Sequence, residues 1–581
     1  MVFPHRRRSF RPASVAALLA CGGLAAAGVA RADLVAPFDA AITVDPGYVT
    51  GANSATDIAW AADGRAVITR KGGEVMIRNT DGTKTELTGL FGTVDTGSEK
   101  GLLGVVAHPT APNTFFFYVS NGPSAADNHR VYRGVLDAST LTIDSVNPIV
   151  AAGRNAGDPG LEGPANHDGG GLFVHGNHLY VGVGDTGSNA TPPVNRYGSC
   201  LNKGNGKILR VNLDGTIPSD NPLVGVTTVT GCASPGGAWE PSTPDQRIFA
   251  WGFRNPWRLW VDPHTGLMWI GDVGETTREE ISVGPGNQHY GYPFNEGNIR
   301  WPDNVETGDG TLDGRSCETN FAPAKACTYP AHDYDRTVGG CVIGGLIPEG
   351  CGWQNAFGGK TFYLFGDHGQ SWLHALEVKD DRTGVVSSVA TDLGTLSPGV
   401  SSFRQGPDGS VYLVNYGVGA VYRLTPTEQS GPDCMSSGGT GGTGGTGGTG
   451  AGGNSSNGGR GGMAGEGEGG DDAGAAGEAG GSVAGEGGAT GGAPVTAKAG
   501  RGGRGGSGGS ANIAGEAGQS GEGGGGAPAA GPKSTDDGGC GCRVARGNRD
   551  ATLEAVVVGL ALAGALGRRG RRRNEKGTID A

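Results

Sequence analysis

Three stretches of the chain concentrate residues that can do chemistry. In the first, His167 and Asp168 stand directly before Gly169, Gly170 and Gly171, a short apolar run follows, and Asp185 closes it. Histidine is the residue whose ordinary pKa, about 6.5, lets it take and return protons near neutral pH. Three consecutive glycines let a backbone or a ligand approach closely. The second stretch, Gly206–Pro222, reads GKILRVNLDGTIPSDNP. The third runs from Ile248 to Pro293 and holds Arg254-Asn255-Pro256 and Asp272-Val273-Gly274-Glu275. A guanidinium beside an amide at the mouth of a strand favours a ligand contact. All three stretches are too rich in polar residues and glycine to be strand filler.

The elements that must position these groups are strands. Six phrases recur, each a short run of β-branched and aromatic residues around a glycine turn: Asp57–Arg70, Gly101–Gly122, Gly170–Asp185, Asn255–Asp272, Gly358–Asp367 and Ser402–Leu424. Helical periodicity is nearly absent. Six copies in residues 33–433 leave about 67 residues per unit, which suits four-stranded blades with long loops. The expectation is an all-β, six-bladed β-propeller. A pair of β-sandwiches is the alternative, and the regular recurrence argues against it.

The rest of the chain is of another kind. Glycine makes up 116 of 581 residues, about 20% against a usual ~7%, and most of the excess follows Cys434. Residues 434–538 lack the apolar surface to offset chain entropy and read as a disordered linker. Residues 1–32 carry Arg6, Arg7 and Arg8, an apolar run and Ala30-Arg31-Ala32. That is the anatomy of a secretory signal cut after Ala32. Residues 539–581 hold Cys540-Gly541-Cys542, an apolar segment from Ala555 to Gly567 that reads as a short helix, and five arginines in Arg568–Arg573. An apolar segment closed by arginines orients with the arginines inside. With a net charge of −12 and 18% charged residues, the chain lacks the basic face that nucleic acid requires. No apolar run in the body approaches the ~20 residues of a spanning helix. Nothing in the pattern sets an oligomeric state.

The body carries six cysteines: Cys200, Cys232, Cys317, Cys327, Cys341 and Cys351. An even count in an exported chain argues for disulfides. Six cysteines allow ~15 connectivities, and pairing of neighbours (Cys200–Cys232, Cys317–Cys327, Cys341–Cys351) is the simplest. Zinc is the rival reading, and the body has no CxxC pair to support it.

In this order and spacing, the three polar stretches resemble the glucose/sorbosone dehydrogenase family, from about Ala55 to Leu424. GLLGVVAHP stands at one end of the resemblance and GPDGSVYLVNYGVGAVYRL at the other. The last phrase and VIGGLIPEG look more like the family's Hedgehog-interacting-protein-like branch. The soluble members are PQQ-dependent aldose dehydrogenases built as six-bladed propellers. The resemblance implies that His167 is the catalytic base, taking the proton of the sugar C1 hydroxyl while the C1 hydride goes to the quinone. It further implies that Asp185 orients His167, that Arg254 and Asn255 lie against cofactor and sugar, and that Gly274 and Glu275 offer oxygens to a Ca²⁺ bridging to PQQ. Glu279 falls where the family has an acidic residue that helps hold the metal site. The tail resembles a MYXO-CTERM sorting signal, which implies processing at Cys540 and Cys542 and a protein held at the cell surface or outer membrane, or released there.

The chain also departs from the family. PQQ carries three carboxylates and needs cationic partners. Where the dehydrogenases place two arginines, this sequence has Gly399-Val400-Ser401; the family lysine falls near His368; Arg404 is close to the arginine positions without matching them; and a glutamine before GLLG is Glu99. Two readings stand: an exported quinoprotein that oxidises a small sugar, and a surface propeller that has lost its cofactor and binds glycan or protein.

Overall fold

Six antiparallel sheets follow one another along the chain in a computed structural model that describes residues 32–163, 166–187, 195–300, 310–319 and 321–428. The leader, the glycine-rich linker, Cys540, Cys542 and the apolar C-terminal segment lie outside these residues. Blade 1 is Ala55–Trp60, Ala66–Arg70, Val75–Arg78 and Lys84–Leu87; blade 2 is Leu102–Ala107, Thr114–Ser124, Asp127–Leu136 and Leu141–Ile143. Blade 3 is Leu172–His175, His178–Val183, Lys207–Asn212 and Ile248–Trp251; blade 4 is Pro256–Val261, Met268–Asp272, Arg278–Gly284 and His332–Asp335. Blade 5 is Val342–Leu346, Phe362–Asp367, Trp372–Glu377 and Thr391–Leu396, with Ala32–Leu34 added at its edge. Blade 6 is Val400–Gln405, Val411–Asn415 and Ala420–Pro426, completed by Ile42–Thr50 from the start of the body.

The first strand of each blade packs against the first strand of the next all the way round. The result is a six-bladed propeller. Pairing of Ile42–Thr50 with Ala420–Pro426 joins the first and last segments of the body in one blade, so the ring closes through ladder hydrogen bonds. Both faces of a blade are covered by neighbours, so strands such as Thr114–Val119, TFFFYV, are buried throughout. Aromatic rings fill the seams: Trp269 of blade 4 stacks on Tyr363 of blade 5 with centroids 4.8 Å apart.

Five of the six recurring phrases carry the first two strands of a blade. The fifth, Gly358–Asp367, carries one strand. Its glycines end a short helix, Cys351–Ala356, and the inner strand of that blade is Val342–Leu346. Cys200–Cys232 and Cys317–Cys327 are bridged, and Cys341 and Cys351 are disulfide-bonded as well. Among the described residues no helix is long and apolar enough to cross a membrane.

Candidate active site at the entry of the inner strands

His167 sits just before the inner strand of blade 3, with φ at +60° and 4% of its surface exposed. The three glycines after it explain how the chain fits there. A Cβ on Gly169 would lie 2.6 Å from the Gly182 carbonyl oxygen, one on Gly170 2.5 Å from the Leu103 Cβ, and one on Gly171 2.9 Å from the Trp257 carbonyl oxygen. The segment is thus pressed against three strands at once, and only glycine allows it.

The imidazole is held by its Nδ1, 2.7 Å from the Asp185 Oδ1. Asp185 is fully buried and itself fixed: the Gly187 N–H donates to its Oδ1 at 2.9 Å, and its own N–H donates to the Arg254 carbonyl at 2.8 Å. A carboxylate at Nδ1 keeps the proton on that nitrogen and leaves the lone pair on Nε2. Among the described residues, His167 Nε2 is buried and has no hydrogen-bond partner.

Arg254 and Asn255 enter from blade 4. Their backbone N–H groups both donate to the Asp272 carboxylate, at 3.0 and 2.6 Å. Burial raises the Asp272 carboxyl to about 7, against the pull of those hydrogen bonds. The Arg254 Nε donates to the Glu275 Oε2 at 2.6 Å and its Nη1 to the Val273 carbonyl at 3.0 Å. Burial works to raise Glu275, but the Arg254 guanidinium prevails and holds its carboxyl below the ordinary range. Asn255 faces the other way: its Nδ2 donates to the Glu99 Oε2 at 3.1 Å, and its Oδ1 accepts the Gly169 N–H at 3.1 Å. Glu99 also accepts the His167 N–H at 3.1 Å. Burial pushes the Glu99 carboxyl above its usual range.

The structure therefore brings His167, Asp185, Arg254, Asn255, Glu99 and Glu275 into one hydrogen-bonded group. Gly274 and Glu275 lie on a loop shaped by Glu296, whose Oε1 accepts the N–H groups of Thr276, Thr277 and Arg278 at 2.8, 2.8 and 3.0 Å. Glu279 stands apart in the following strand. One of its oxygens is bound by Arg336 and the other accepts the Val342 N–H at 2.8 Å. Burial raises its carboxyl to about 8 although Arg336 opposes this.

Beside the group opens a cavity of about 120 Å³ lined by Lys71, Ser98, Glu99, Trp257, His368 and Tyr416, among others. Lys71 was not singled out by sequence reasoning. Its only signal is a lysine at a strand end before Gly72-Gly73, which reads as an ordinary turn. Its carbonyl accepts the Leu102 N–H of blade 2 at 3.1 Å and its Nζ donates to the Ser98 carbonyl at 2.5 Å. His368 donates from Nδ1 to the Val400 carbonyl at 2.9 Å. Gly399 cannot carry a cation: its φ is +104° and a Cβ would lie 2.5 Å from the Gly417 nitrogen. Ser401 turns its hydroxyl to the Ala55 and Val414 carbonyls, at 3.0 and 3.2 Å. Arg404 lies deeper on the axis, against Asp57 at 2.6 Å. Among the described residues lining the cavity, Lys71 and His368 are the ones that carry basic nitrogens. Their N–H groups are the donors there that would suit the carboxylates of an anionic ligand, while His167 Nε2, beside the cavity, offers a lone pair.

A glucose/sorbosone dehydrogenase family model matches residues 52–423. The uncharacterised protein slr1608 of Synechocystis is 26% identical over 63% of this chain and 82% of its own length. Quinoprotein glucose dehydrogenase B of Acinetobacter calcoaceticus is 27% identical over 34% of this chain and 41% of its own. Among solved structures, one described as a glucose dehydrogenase superposes with a TM-score of 0.50 at 21% identity, covering 67% of this chain and 99% of that one. That likeness is one of fold.

Proposed function

Because the chain belongs to the glucose/sorbosone dehydrogenase family, we propose that it is a PQQ-dependent dehydrogenase that oxidises the C1 hydroxyl of an aldose to a lactone. The observation that carries this reading is His167: its Nδ1 is fixed by Asp185 at 2.7 Å, and its Nε2 is buried without a partner among the described residues. A base in that state accepts a proton from a hydroxyl placed against Nε2, and Asp185 stabilises the imidazolium that results. Asn255 and Glu99 position the backbone around the base. When bound, PQQ supplies a quinone that accepts a hydride. Lys71 and His368 are the groups that would hold its carboxylates. Burial favours the neutral form of Glu99, which reduces its repulsion of such an anion. The Gly274 carbonyl and the Glu275 carboxylate are the oxygens that would hold a Ca²⁺, with Arg254 and the Tyr292 hydroxyl sharing Glu275 Oε2. Glu279 is left out of that set, since Arg336 and Val342 occupy its oxygens.

The test is to add PQQ and Ca²⁺ to the purified protein and follow reduction of a dye with a panel of aldoses. Dye reduction dependent on PQQ supports the reading. A folded protein that takes up no PQQ overturns it and leaves the second reading, a surface propeller that binds glycan or protein. That reading is favoured by one observation: backbone contacts fill the space at Gly399 where the family places a cation.

In the same proposal the chain is exported by residues 1–32 and held at a membrane through residues 539–581, with the arginines of Arg568–Arg573 on the cytoplasmic side. Replacing Cys540 and Cys542 by alanine separates a sorting tail from a plain anchor. The sorting tail stays at precursor length in the double variant, and unchanged processing removes that reading.

A further inference from the structure

The propeller axis carries a second cavity, at the end opposite His167. It measures about 380 Å³ and is lined by the far ends of all six inner strands. Blade 1 contributes Trp60, blade 2 Val106, blade 3 Phe173, blade 4 Trp260, and blade 6 Phe403 and Arg404. Its volume falls within the ~300–1,000 Å³ of small-molecule sites, and its wall is mainly apolar and aromatic with few polar groups.

Arg404 is the charged group of that wall. Its Nε and Nη2 grip the Asp57 carboxylate side-on, at 3.0 and 2.6 Å, and its Nη2 also donates to the Leu172 carbonyl at 2.9 Å. Asp57 is saturated besides: it accepts the Ser402 hydroxyl at 2.6 Å and the N–H groups of Ile58 and Val105 at 3.0 and 3.1 Å. Among the described residues Arg404 Nη1 has no hydrogen-bond partner. Its side chain is 12% exposed, so Nη1 is the open end of the guanidinium at the cavity.

The charge count on the axis is uneven. Asp57 faces two guanidinium groups, because Arg258 lies beside it, hydrogen-bonded only to the carbonyls of Thr56, Leu103 and Trp257 among the described residues. Burial lowers the Arg258 pKa to about 10; Asp57 opposes the shift and Arg404 adds to it. Two buried cations against one anion leave a positive charge that an anion in the cavity would answer. At the rim, Arg382 stands over the Trp260 ring at 5.9 Å, and its charge is met by Asp262 and Glu349.

We propose that this cavity binds a small monocarboxylate with an aromatic or aliphatic body, the carboxylate on Arg404 Nη1 and the body against Phe173, Trp260 and Phe403. The site is separate from the His167 group and does not depend on the activity proposed for it.

The probe is phenylacetate, with phenylacetamide as its uncharged counterpart, followed by tryptophan fluorescence and saturation-transfer NMR on the whole protein at pH 7. Phenylacetate is expected to bind at least about tenfold more tightly than the amide. Arg404→Gln should remove that preference. Since Arg404 also holds Asp57, a second variant, Phe173→Ala, removes a ring from the cavity wall and leaves the guanidinium network in place; it should weaken phenylacetate binding about tenfold. Equal affinity for acid and amide would overturn the proposal. So would affinity unchanged by Phe173→Ala, or no binding up to about 10 mM.

Discussion

Glu99 and Asn255 meet across the site, the amide Nδ2 donating to the carboxylate Oε2 at 3.1 Å, and so tie the entry of blade 2 to the entry of blade 4. The same oxygen accepts the His167 N–H. A single carboxylate thereby holds both the proposed base and its neighbour. Glutamine can accept both hydrogen bonds through its carbonyl oxygen, so Glu99→Gln keeps the frame and removes the charge. Folding raises the Glu99 pKa through burial. Wild type is therefore neutral at low pH and anionic once pH exceeds the raised value. PQQ should bind the variant about tenfold more tightly than wild type at the higher of two pH values, where Glu99 is ionised, with the gap narrowing at the lower one, where Glu99 holds its proton. Titrations at the two pH values check this. A gap of the same size at both would show that the charge is not its cause.

The His167–Asp185 pair yields a sharper kinetic expectation. His167→Ala removes the proton acceptor and should lower turnover by at least about 10²-fold while PQQ binding changes little, because a general base acts mainly in the transition state. Asp185→Asn keeps the packing and, through Oδ1, can still accept both the Gly187 N–H and Nδ1–H, but it removes the negative charge that stabilises the imidazolium. Its turnover should fall by a similar factor. Steady-state rates together with a PQQ titration of each variant separate lost chemistry from lost cofactor.

The propeller was legible because most blades open with a hairpin of β-branched and aromatic residues around a glycine turn, a local signal. Blade 5 hid its inner strand because VIGGL is parted from its partner by the helix Cys351–Ala356. The closing strand Ile42–Thr50 hid because Asp45-Pro46-Gly47 breaks its alternation, where the register shifts between Asp45 and Val49. At the site, His167, Asp185, Arg254 and Asn255 stood out because each lies in a dense motif. Lys71 reaches the same cavity only through the docking of blade 1 on blade 2. Arg404 and Asp57 are 347 residues apart, and no local pattern announces that they pair on the axis.

Gly399 offers a test of why the family arginine is absent. Its φ of +104° and the 2.5 Å approach to the Gly417 nitrogen leave no room for a side chain. Gly399→Ala should destabilise the fold by roughly 1–3 kcal/mol. Denaturant midpoints measure this. An alanine variant as stable as wild type would mean that the loop yields freely and that an arginine could stand there.

Glu279 makes stability depend on pH. Its folded pKa, about 8, lies above the ordinary value of 4.5, with burial as the main cause and Arg336 opposing it. The folded protein thus binds a proton that the unfolded chain has lost once pH exceeds its own carboxyl pKa. Below 4.5 the group makes no difference, because both states are protonated. Between 4.5 and 8 stability falls as pH rises, and above 8 the full cost of a buried charge is present. Glu279→Gln mimics the protonated form and can still accept from the Val342 N–H. Its amide nitrogen then faces Arg336, a loss at every pH, so its melting temperature should fall short of wild type near pH 4.5 and gain on it as pH rises to about 9. Thermal melts across that range provide the check. A difference that instead widens against the variant as pH rises would show that the ion pair with Arg336 outweighs burial, and would move the Glu279 pKa below its ordinary value.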